Sequence, residues 1–326
     1  MRVLLLGASG TIGLATANAL VRQGHDVVCF LRKSKTTLAG APFHLSVQLQ
    51  GATLRYGDPC LFESLKQDGF CDEHFDAVVS CMASRTGTPR DAWAVDFQAH
   101  VHLLQAAKES GVLYFVQLSA ICVQKPLLAF QQAKLAFEKE LMASGLTYAI
   151  VRPTAFFKSL SGQLERVKKG KPFLIFGDGQ LTACKPISDD DLGDYIASCL
   201  TDVSKHNQIL PIGGPGPAIT PLAQGAYLFK QLNKPPQFKS VPVGVLDFII
   251  GLLTVIGKVI PAAADKAELA RIGRYYATES MLVWNESLSQ YDPEGTPSFG
   301  HQTLFDAYSS WLEGDAAPDR REHAVF

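Results

Sequence analysis

The sequence predicts an α/β protein built on a doubly wound parallel sheet of the Rossmann type, with a smaller, mainly helical C-terminal substrate lobe. Three observations predict it. The chain opens on an aliphatic run, Arg2–Leu6, followed at once by Gly7-Ala8-Ser9-Gly10-Thr11-Ile12-Gly13 and a helix-like stretch, Leu14–Gln23. A second aliphatic run, His25–Leu31, ends in Arg32-Lys33. Strand-like and helix-like runs then alternate as far as Val151, the pattern of parallel strands joined by crossover helices.

The first of these is the unit that seats a dinucleotide pyrophosphate on a helix N-terminus. Its glycines allow a tight turn, close approach of backbone to phosphate, and close packing of helix on strand. Gly7, Ser9, Gly10, Thr11, Ile12 and Gly13 are therefore candidate cofactor contacts. The tip of the second strand chooses between cofactors. A carboxylate about 20 residues past the glycines would accept from the ribose hydroxyl of NAD. Here Arg32 stands nineteen residues after Gly13, with Lys33 next. A guanidinium attracts a 2′-phosphate that a carboxylate would repel, so NADPH is the expected cofactor. The G-x-x-G-x-x-G spacing resembles that of the atypical and extended short-chain dehydrogenase/reductases.

Ala52–Tyr56 reads as a third strand running into Gly57-Asp58, and Asp76–Cys81 as a fourth. Trp93–Ser110 reads as a helix closed by Gly111, and Tyr114–Leu118 as the fifth strand. Leu127–Ala143 is a helix stopped by Ser144-Gly145, and Leu146–Val151 the sixth strand, ended by Arg152-Pro153. In such a sheet the ligand lies beyond the carboxyl ends of the strands. Ser9, Asp58, Ser80–Ser84, Ser119 and Pro153–Phe157 all fall there, which adds Asp58, Ser80, Ser119 and Pro153 to the cofactor set.

After Pro153 the pattern changes. A helix is expected over Ser159–Lys169, a strand over Pro172–Phe176, a helix over Asp189–Leu200 and a returning core strand over Gln208–Ile212. Helices follow near 221–232, 242–258 and 263–275, then a strand at Met281–Trp284 and a last helix at Gln302–Leu312. The expected organisation is an NADPH-binding domain over 1–155, to which the strand near 208–212 returns, a substrate lobe over 156–313, and a flexible tail over 314–326.

Composition bounds the partners. Hydrophobic residues make up 47% and charged ones 19%, enough for a substantial core. A net charge of −1 without a basic stripe excludes electrostatic nucleic-acid binding. Seven cysteines stand singly with no C-x-x-C, which predicts reduced thiols and no metal site. The first strand begins at residue 2 and leaves no room for a leader, so a cytoplasmic protein is expected. Ser240–Pro261 is strongly apolar, but Asp247 and Lys258 interrupt it. It falls short of the ~20 residues a spanning helix needs. A buried helix, a pocket wall and a shallow, peripheral membrane contact stay open for it.

Short-chain reductases usually carry Y-x-x-x-K in the helix after strand five, where the tyrosine exchanges a proton with the substrate oxygen and the lysine holds the nicotinamide ribose. The matching residues here are Phe130-Gln131-Gln132-Ala133-Lys134. The lysine is present, one helical turn from a phenylalanine on the same face. Phenylalanine has no proton to donate, which argues against carbonyl reduction by the usual route. Reduction of a carbon–carbon double bond does not need that acid, and neither does a non-catalytic cofactor sensor. Lys134 and Phe130 are the candidate catalytic positions.

Four long stretches, Leu118–Gln163, Phe176–Leu192, Leu210–Gly225 and Ile272–Asp306, are similar to the divinyl chlorophyllide a 8-vinyl reductases, NADPH-dependent enzymes of chlorophyll and bacteriochlorophyll synthesis. That family also resembles this chain in its phenylalanine before the lysine. The resemblance implies reduction of a vinyl group to ethyl on a divinyl chlorophyllide, or a divinyl protochlorophyllide. It also implies a flat tetrapyrrole as partner and a location near the photosynthetic membrane. Hydride at the terminal carbon would leave charge spread over the macrocycle, and a proton would follow at the inner carbon. Phe130, Phe156 and Phe157 could line the apolar slot such a ring needs, with the helix over Val241–Ile256 as a cover. Lys158 and Lys185 could pair with its propionate. Two alternatives stay open: an NADPH-binding sensor or assembly protein without catalysis, and a reductase of another conjugated double bond like the isoflavone-reductase-like enzymes.

Overall fold

A computed structural model describes residues 1–33, 47–315 and 317. Most of the tail expected over 314–326 lies outside the described residues. The strands are β1 Arg2–Leu6, β2 Asp26–Arg32, β3 Thr53–Gly57, β4 Ala77–Ser80, β5 Tyr114–Leu118, β6 Thr147–Pro153, β7 Phe173–Phe176, β8 Gln208–Ile212, β9 Phe238–Val241, β10 Val283–Asn285 and β11 Gln290–Asp292. The longer helices are α1 Thr11–Arg22, α2 His100–Glu109, α3 Ala129–Ala143, α4 Asp189–Ser198, α5 Pro221–Gln231, α6 Val243–Gly257, α7 Pro261–Thr278 and α8 Leu304–Glu313. The chain divides into two compact units.

The first unit comprises Met1–Ser84, Pro89–Pro153 and Asp189–Leu210. Its sheet runs in the order β3-β2-β1-β4-β5-β6-β8. β1 to β6 pair in parallel, with Leu6 opposite both Phe30 and Ser80, and Gln117 opposite both Ser80 and Ile150. That register brings the carboxyl ends of the strands to one edge. Near-continuous aliphatic strands are buried on both faces, as parallel strands covered by helices must be. Leu4, Leu6, Phe30, Val78, Phe115, Phe137 and Ile150 form the centre of this core.

α4 groups with this unit rather than with the residues around it in sequence, and it packs on α1. The crossing is close: a Cβ on Gly193 would lie 2.7 Å from the carbonyl carbon of Ala15. Between β4 and β5 the expected single helix is a composite. It begins at Pro89–Ala92, widens into a π-helical segment over Trp93–Ala99, and continues as α2.

The second unit comprises Arg85–Thr88, Thr154–Ser188 and Pro211–Phe326. The helix expected over Ser159–Lys169 is broken into short turns, Phe157–Leu160, Ser161–Gln163 and Leu164–Lys168. β7 pairs in parallel with β9, and β10 with β11 as a hairpin. α5 has Thr220 as N-cap, accepting from the Ala223 N–H at 3.2 Å, and Pro221 in its first turn, both favourable helix starts. Tyr308 of α8 is fully buried and donates its hydroxyl to the Leu160 carbonyl at 2.8 Å.

α6 and α7 form a helical hairpin tied by exposed polar side chains. Asp247 pairs with Arg274, and Thr254 accepts from Arg271 at 2.8 Å. α6 buries none of its residues. Phe248, Leu252 and Val255 are 73%, 52% and 65% exposed. The expectation that this helix covers the aromatic residues is therefore corrected: its packing partner is α7, and its apolar side faces outward. Among the described residues no helix is long and apolar enough to cross a membrane.

Candidate active site

The glycine turn leaves β1 at the carboxyl edge of the sheet. Gly7 takes φ +86°, and a Cβ there would stand 2.5 Å from the carbonyl carbon of Cys81. A Cβ on Gly13 would sit 2.1 Å from the Gly7 carbonyl oxygen. Both positions exclude any side chain. Gly10 differs: its nearest neighbour would be the Gly7 oxygen at 3.4 Å, and it is exposed together with Ser9. It is the N-cap of α1, it has no side chain to cap the helix, and the first turn carries no acidic residue. An open, uncapped N-terminus behind a glycine is what a pyrophosphate requires, so the residues present fit a dinucleotide.

At the tip of β2, Arg32 is exposed, and its guanidinium lies 3.6 Å from the Cys60 sulfur. Lys33, also exposed, donates its backbone N–H to the Gly57 carbonyl at 3.1 Å. Asp58 closes the neighbouring turn: its carboxylate accepts the Cys60 N–H at 2.9 Å, while its own N–H donates to Ser64. Two cations at this tip suit a 2′-phosphate.

The strand-end serines lie where expected, but their hydroxyls face the interior. Ser80 is completely buried, and its Oγ stands 2.9 Å from His100 Nε2. His100 Nδ1 in turn lies 2.8 Å from the Val95 carbonyl, which makes Nδ1 the protonated nitrogen and Nε2 the acceptor. Burial first, and then the Lys134 cation, push this imidazole down to about 4, so it is neutral at physiological pH. The hydroxyl of Ser80 is a packing contact of His100, which corrects its expected role against the cofactor. Ser119 donates to Glu138 at 2.5 Å. Glu138 is completely buried and also takes the guanidinium of Arg152, whose Nε donates at 3.1 Å.

Lys134 sits on α3, which starts where the Gln131 side chain accepts the Leu128 N–H at 2.9 Å. Its ammonium is buried and lies 2.9 Å from the carboxylate of Asp96. Asp96 belongs to the π-helical segment and also accepts the Ser84 N–H at 3.2 Å. Its other oxygen, Oδ2, is buried without a partner. Phe130, one turn before Lys134, is half-buried. Residues 130, 134 and 138 thus share one face of α3. Pro153 ends β6 at the same edge of the sheet.

Asp96, Glu138 and Arg152 carry this arrangement, and the sequence reading missed all three. The four-residue step from Lys134 to Glu138 was a local signal that Glu138 shares the face. Nothing local announces Asp96, which lies 38 residues before its partner.

In the second unit Phe156 is half-buried and bridged to Ile187, Phe157 is buried, and Lys158 is half-exposed. Lys185 is buried, with its ammonium donating to the carbonyls of Thr296 at 3.0 Å and Pro293 at 3.4 Å. It ties two segments of this unit together, and its expected role against a substrate carboxylate is corrected on that ground. All seven cysteines are free. Among the described residues no group of three or more His, Cys, Asp or Glu side chains could hold a metal.

The edge of a parallel sheet, an open helix N-terminus behind a glycine turn and a buried lysine at the rim define a Rossmann-type NAD(P)H-dependent reductase. A family model of NAD(P)H-binding domains matches residues 7–203. The chain belongs to the divinyl chlorophyllide a 8-vinyl-reductase family. Chloroplastic proteins of that name from Cucumis sativus and Arabidopsis thaliana are 48% identical over 332 residues and 47% identical over 335, each match covering 99% of this chain and 79% of the relative. These relatives overturn the expectation of a cytoplasmic protein, since they are chloroplastic. Among solved structures, the leucoanthocyanidin reductase–NADPH complex from Vitis vinifera shares the fold, with a TM-score of 0.67 at 16% identity over 96% of this chain and all of that one.

Proposed function

We infer that this protein reduces the 8-vinyl group of divinyl chlorophyllide a to ethyl with NADPH, a step of chlorophyll biosynthesis. One observation carries the inference: 45–48% identity to vinyl reductases across 99% of the chain. Phe130 agrees with it, because a vinyl group has no oxygen to protonate. When bound, the reduced nicotinamide supplies the hydride. The rest falls to the chain.

The turn Gly7–Gly13 holds the pyrophosphate on α1, and Arg32 with Lys33 holds the 2′-phosphate. Lys134, fixed by Asp96, holds the nicotinamide ribose. Phe130 presents apolar surface to the macrocycle. Orientation is the main catalytic resource, worth roughly 7–11 kcal/mol for well-placed reactants. Peripheral membrane contact through the outward face of α6 is part of this proposal, supported by the exposed Phe248, Leu252 and Val255.

Incubation of the purified protein with divinyl chlorophyllide a and NADPH tests the reading. Ethyl product by chromatography, with a blue shift of the absorption spectrum, is expected. NADPH binding without ethyl product would make the chain a sensor or assembly protein instead.

A further inference from the structure

Two short basic segments meet on the second unit. Residues 163–171 carry Arg166, Lys168, Lys169 and Lys171 with Glu165 as their one carboxylate, and residues 230–239 carry Lys230, Lys234 and Lys239 with none. Neither run is long enough to stand out in a chain of net charge −1. The fold joins them. β7 and β9 pair in parallel with Leu174 opposite Lys239, and the Phe173 N–H donates to the Gln237 carbonyl at 2.8 Å. Lys234 donates its ammonium to the Lys168 carbonyl at 3.1 Å. The lysines of both segments are exposed. Phe238 packs its ring against Phe173 and Phe229, so Lys239, the next residue of the strand, leaves from the opposite face. Glu165 pairs with Lys168 at 3.3 Å, and the joined segments keep a strong positive charge.

This patch runs directly into α6. β9 ends at Val241, and the helix begins at Val243. Leu246, Ile250, Leu253 and Gly257 are half-buried at three- and four-residue steps, and a Cβ on Gly257 would stand 2.9 Å from the backbone of Ala264 in α7. That is the packing face. Val245, Phe248, Leu252, Val255 and Val259 make a second stripe at the same steps, each at least 45% exposed. Contiguous apolar surface of this kind marks a contact with a partner or a membrane. The charge beside it chooses between occupants. A second copy of the chain would bring an equally positive patch to the same contact, and like charges oppose it. An anionic bilayer offers headgroups to the lysines and acyl chains to the stripe.

We propose that the lysine patch and the apolar stripe of α6 form one docking surface for anionic lipid bilayers. The lysines select the headgroup charge, and α6 lies at the boundary of headgroups and acyl chains. This rests on the reading of the outward face of α6 as a membrane contact, and adds to it the choice of lipid. Long-range attraction steers the protein to the surface, and apolar burial retains it there.

The test is co-sedimentation of the full chain with two kinds of vesicle, phosphatidylcholine alone and phosphatidylcholine with about 30% phosphatidylglycerol. The wild type is expected to bind the anionic vesicles at least tenfold more tightly. It should lose that preference between about 0.1 M and about 1 M salt, where the screening length falls from ~10 Å to ~3 Å. Lys169→Gln with Lys171→Gln and Lys239→Gln should lose at least tenfold on the anionic vesicles only, with NADPH affinity unchanged. Phe248→Ser with Leu252→Ser should instead weaken binding to both kinds.

Equal wild-type binding to the two vesicles overturns the proposal. A triple lysine variant that binds as the wild type does overturns it too, while a loss in the Phe248, Leu252 variant would then leave the α6 contact standing. A dimer in solution that the Phe248, Leu252 variant dissociates, without vesicle binding, assigns the face to a second copy and overturns both readings. Should the triple variant not fold, the wild-type salt series decides: a preference for anionic vesicles that persists undiminished at the high salt overturns the proposal.

Discussion

Replacing His100 by Gln should remove a specific part of the acid sensitivity of this protein. In the unfolded chain the imidazole titrates near 6.5, whereas burial and the Lys134 cation hold it at about 4 in the folded state. The folded value is the lower one. The group therefore contributes stability that is fully present above pH 6.5 and is lost as the pH falls towards 4. At pH 5 the unfolded state has gained the proton and the folded state has not. The 1.5 units between pH 6.5 and pH 5 correspond to about 2 kcal/mol at 1.36 kcal/mol per unit. The loss approaches about 3.4 kcal/mol below pH 4.

Gln keeps one donor for the Val95 carbonyl and one acceptor for Ser80, and it does not titrate. Urea unfolding of wild type and variant at pH 7 and pH 5 isolates the increment, because every other group titrates in both. The wild type should lose about 2 kcal/mol more than the variant between these two values. Equal losses, with equal urea slopes, would refute a neutral buried imidazole at this position.

Four further outcomes are expected. Arg32→Ala should weaken NADPH about tenfold to a hundredfold, since a charge-assisted hydrogen bond is worth about 1.5–3 kcal/mol; titration of NADH alongside should show little change, and equal losses would remove Arg32 from 2′-phosphate recognition. Gly13→Ala should abolish dinucleotide binding and lower Tm, because its Cβ would stand 2.1 Å from a backbone oxygen that no side-chain motion can relieve; retained NADPH quenching would contradict this. Phe130→Tyr should lower vinyl turnover, as a hydroxyl without a partner in an apolar surface costs ~1–3 kcal/mol, and a faster enzyme would sink the account of the missing tyrosine. Phe248→Ser with Leu252→Ser should reduce co-sedimentation with anionic vesicles at least tenfold, each large side chain contributing about 1.5–3 kcal/mol of apolar burial; unchanged sedimentation would dismiss α6 as the contact.

What could be read from the sequence was what is local. The glycine turn, the cations at Arg32-Lys33 and the pair Phe130–Lys134 are defined by spacing within one strand, turn or helix, and the structure places each on the expected element. What could not be read was set by pairing across the fold. The side chains of Ser80 and Ser119 end up against His100 and Glu138 because β4, β5, α2 and α3 are packed together, and no periodicity encodes the direction of a hydroxyl. Lys185 was expected against a substrate propionate, but its ammonium is taken by the carbonyls of Pro293 and Thr296. The π-helical segment carries the same apolar pattern as an ordinary helix. β9 only overlaps the start of the apolar stretch Ser240–Pro261, and no strand was expected there; β11 exists only as the return arm of a hairpin.

Helix α3 behaves as a ruler clamped at two marks. Residues 134 and 138 are pinned by Asp96 and by Arg152 with Ser119, one helical turn apart, or about 6 Å along the axis. A rod held at two points can neither slide nor roll. Position 130 is the next mark, one turn beyond the clamps and bound to neither. A hydroxyl acid or a bare ring can stand there without replacing either clamp. The chemistry of proton delivery is thereby separable from the placing of the ammonium, and one scaffold can exchange carbonyl reduction for alkene reduction by altering a single unclamped mark.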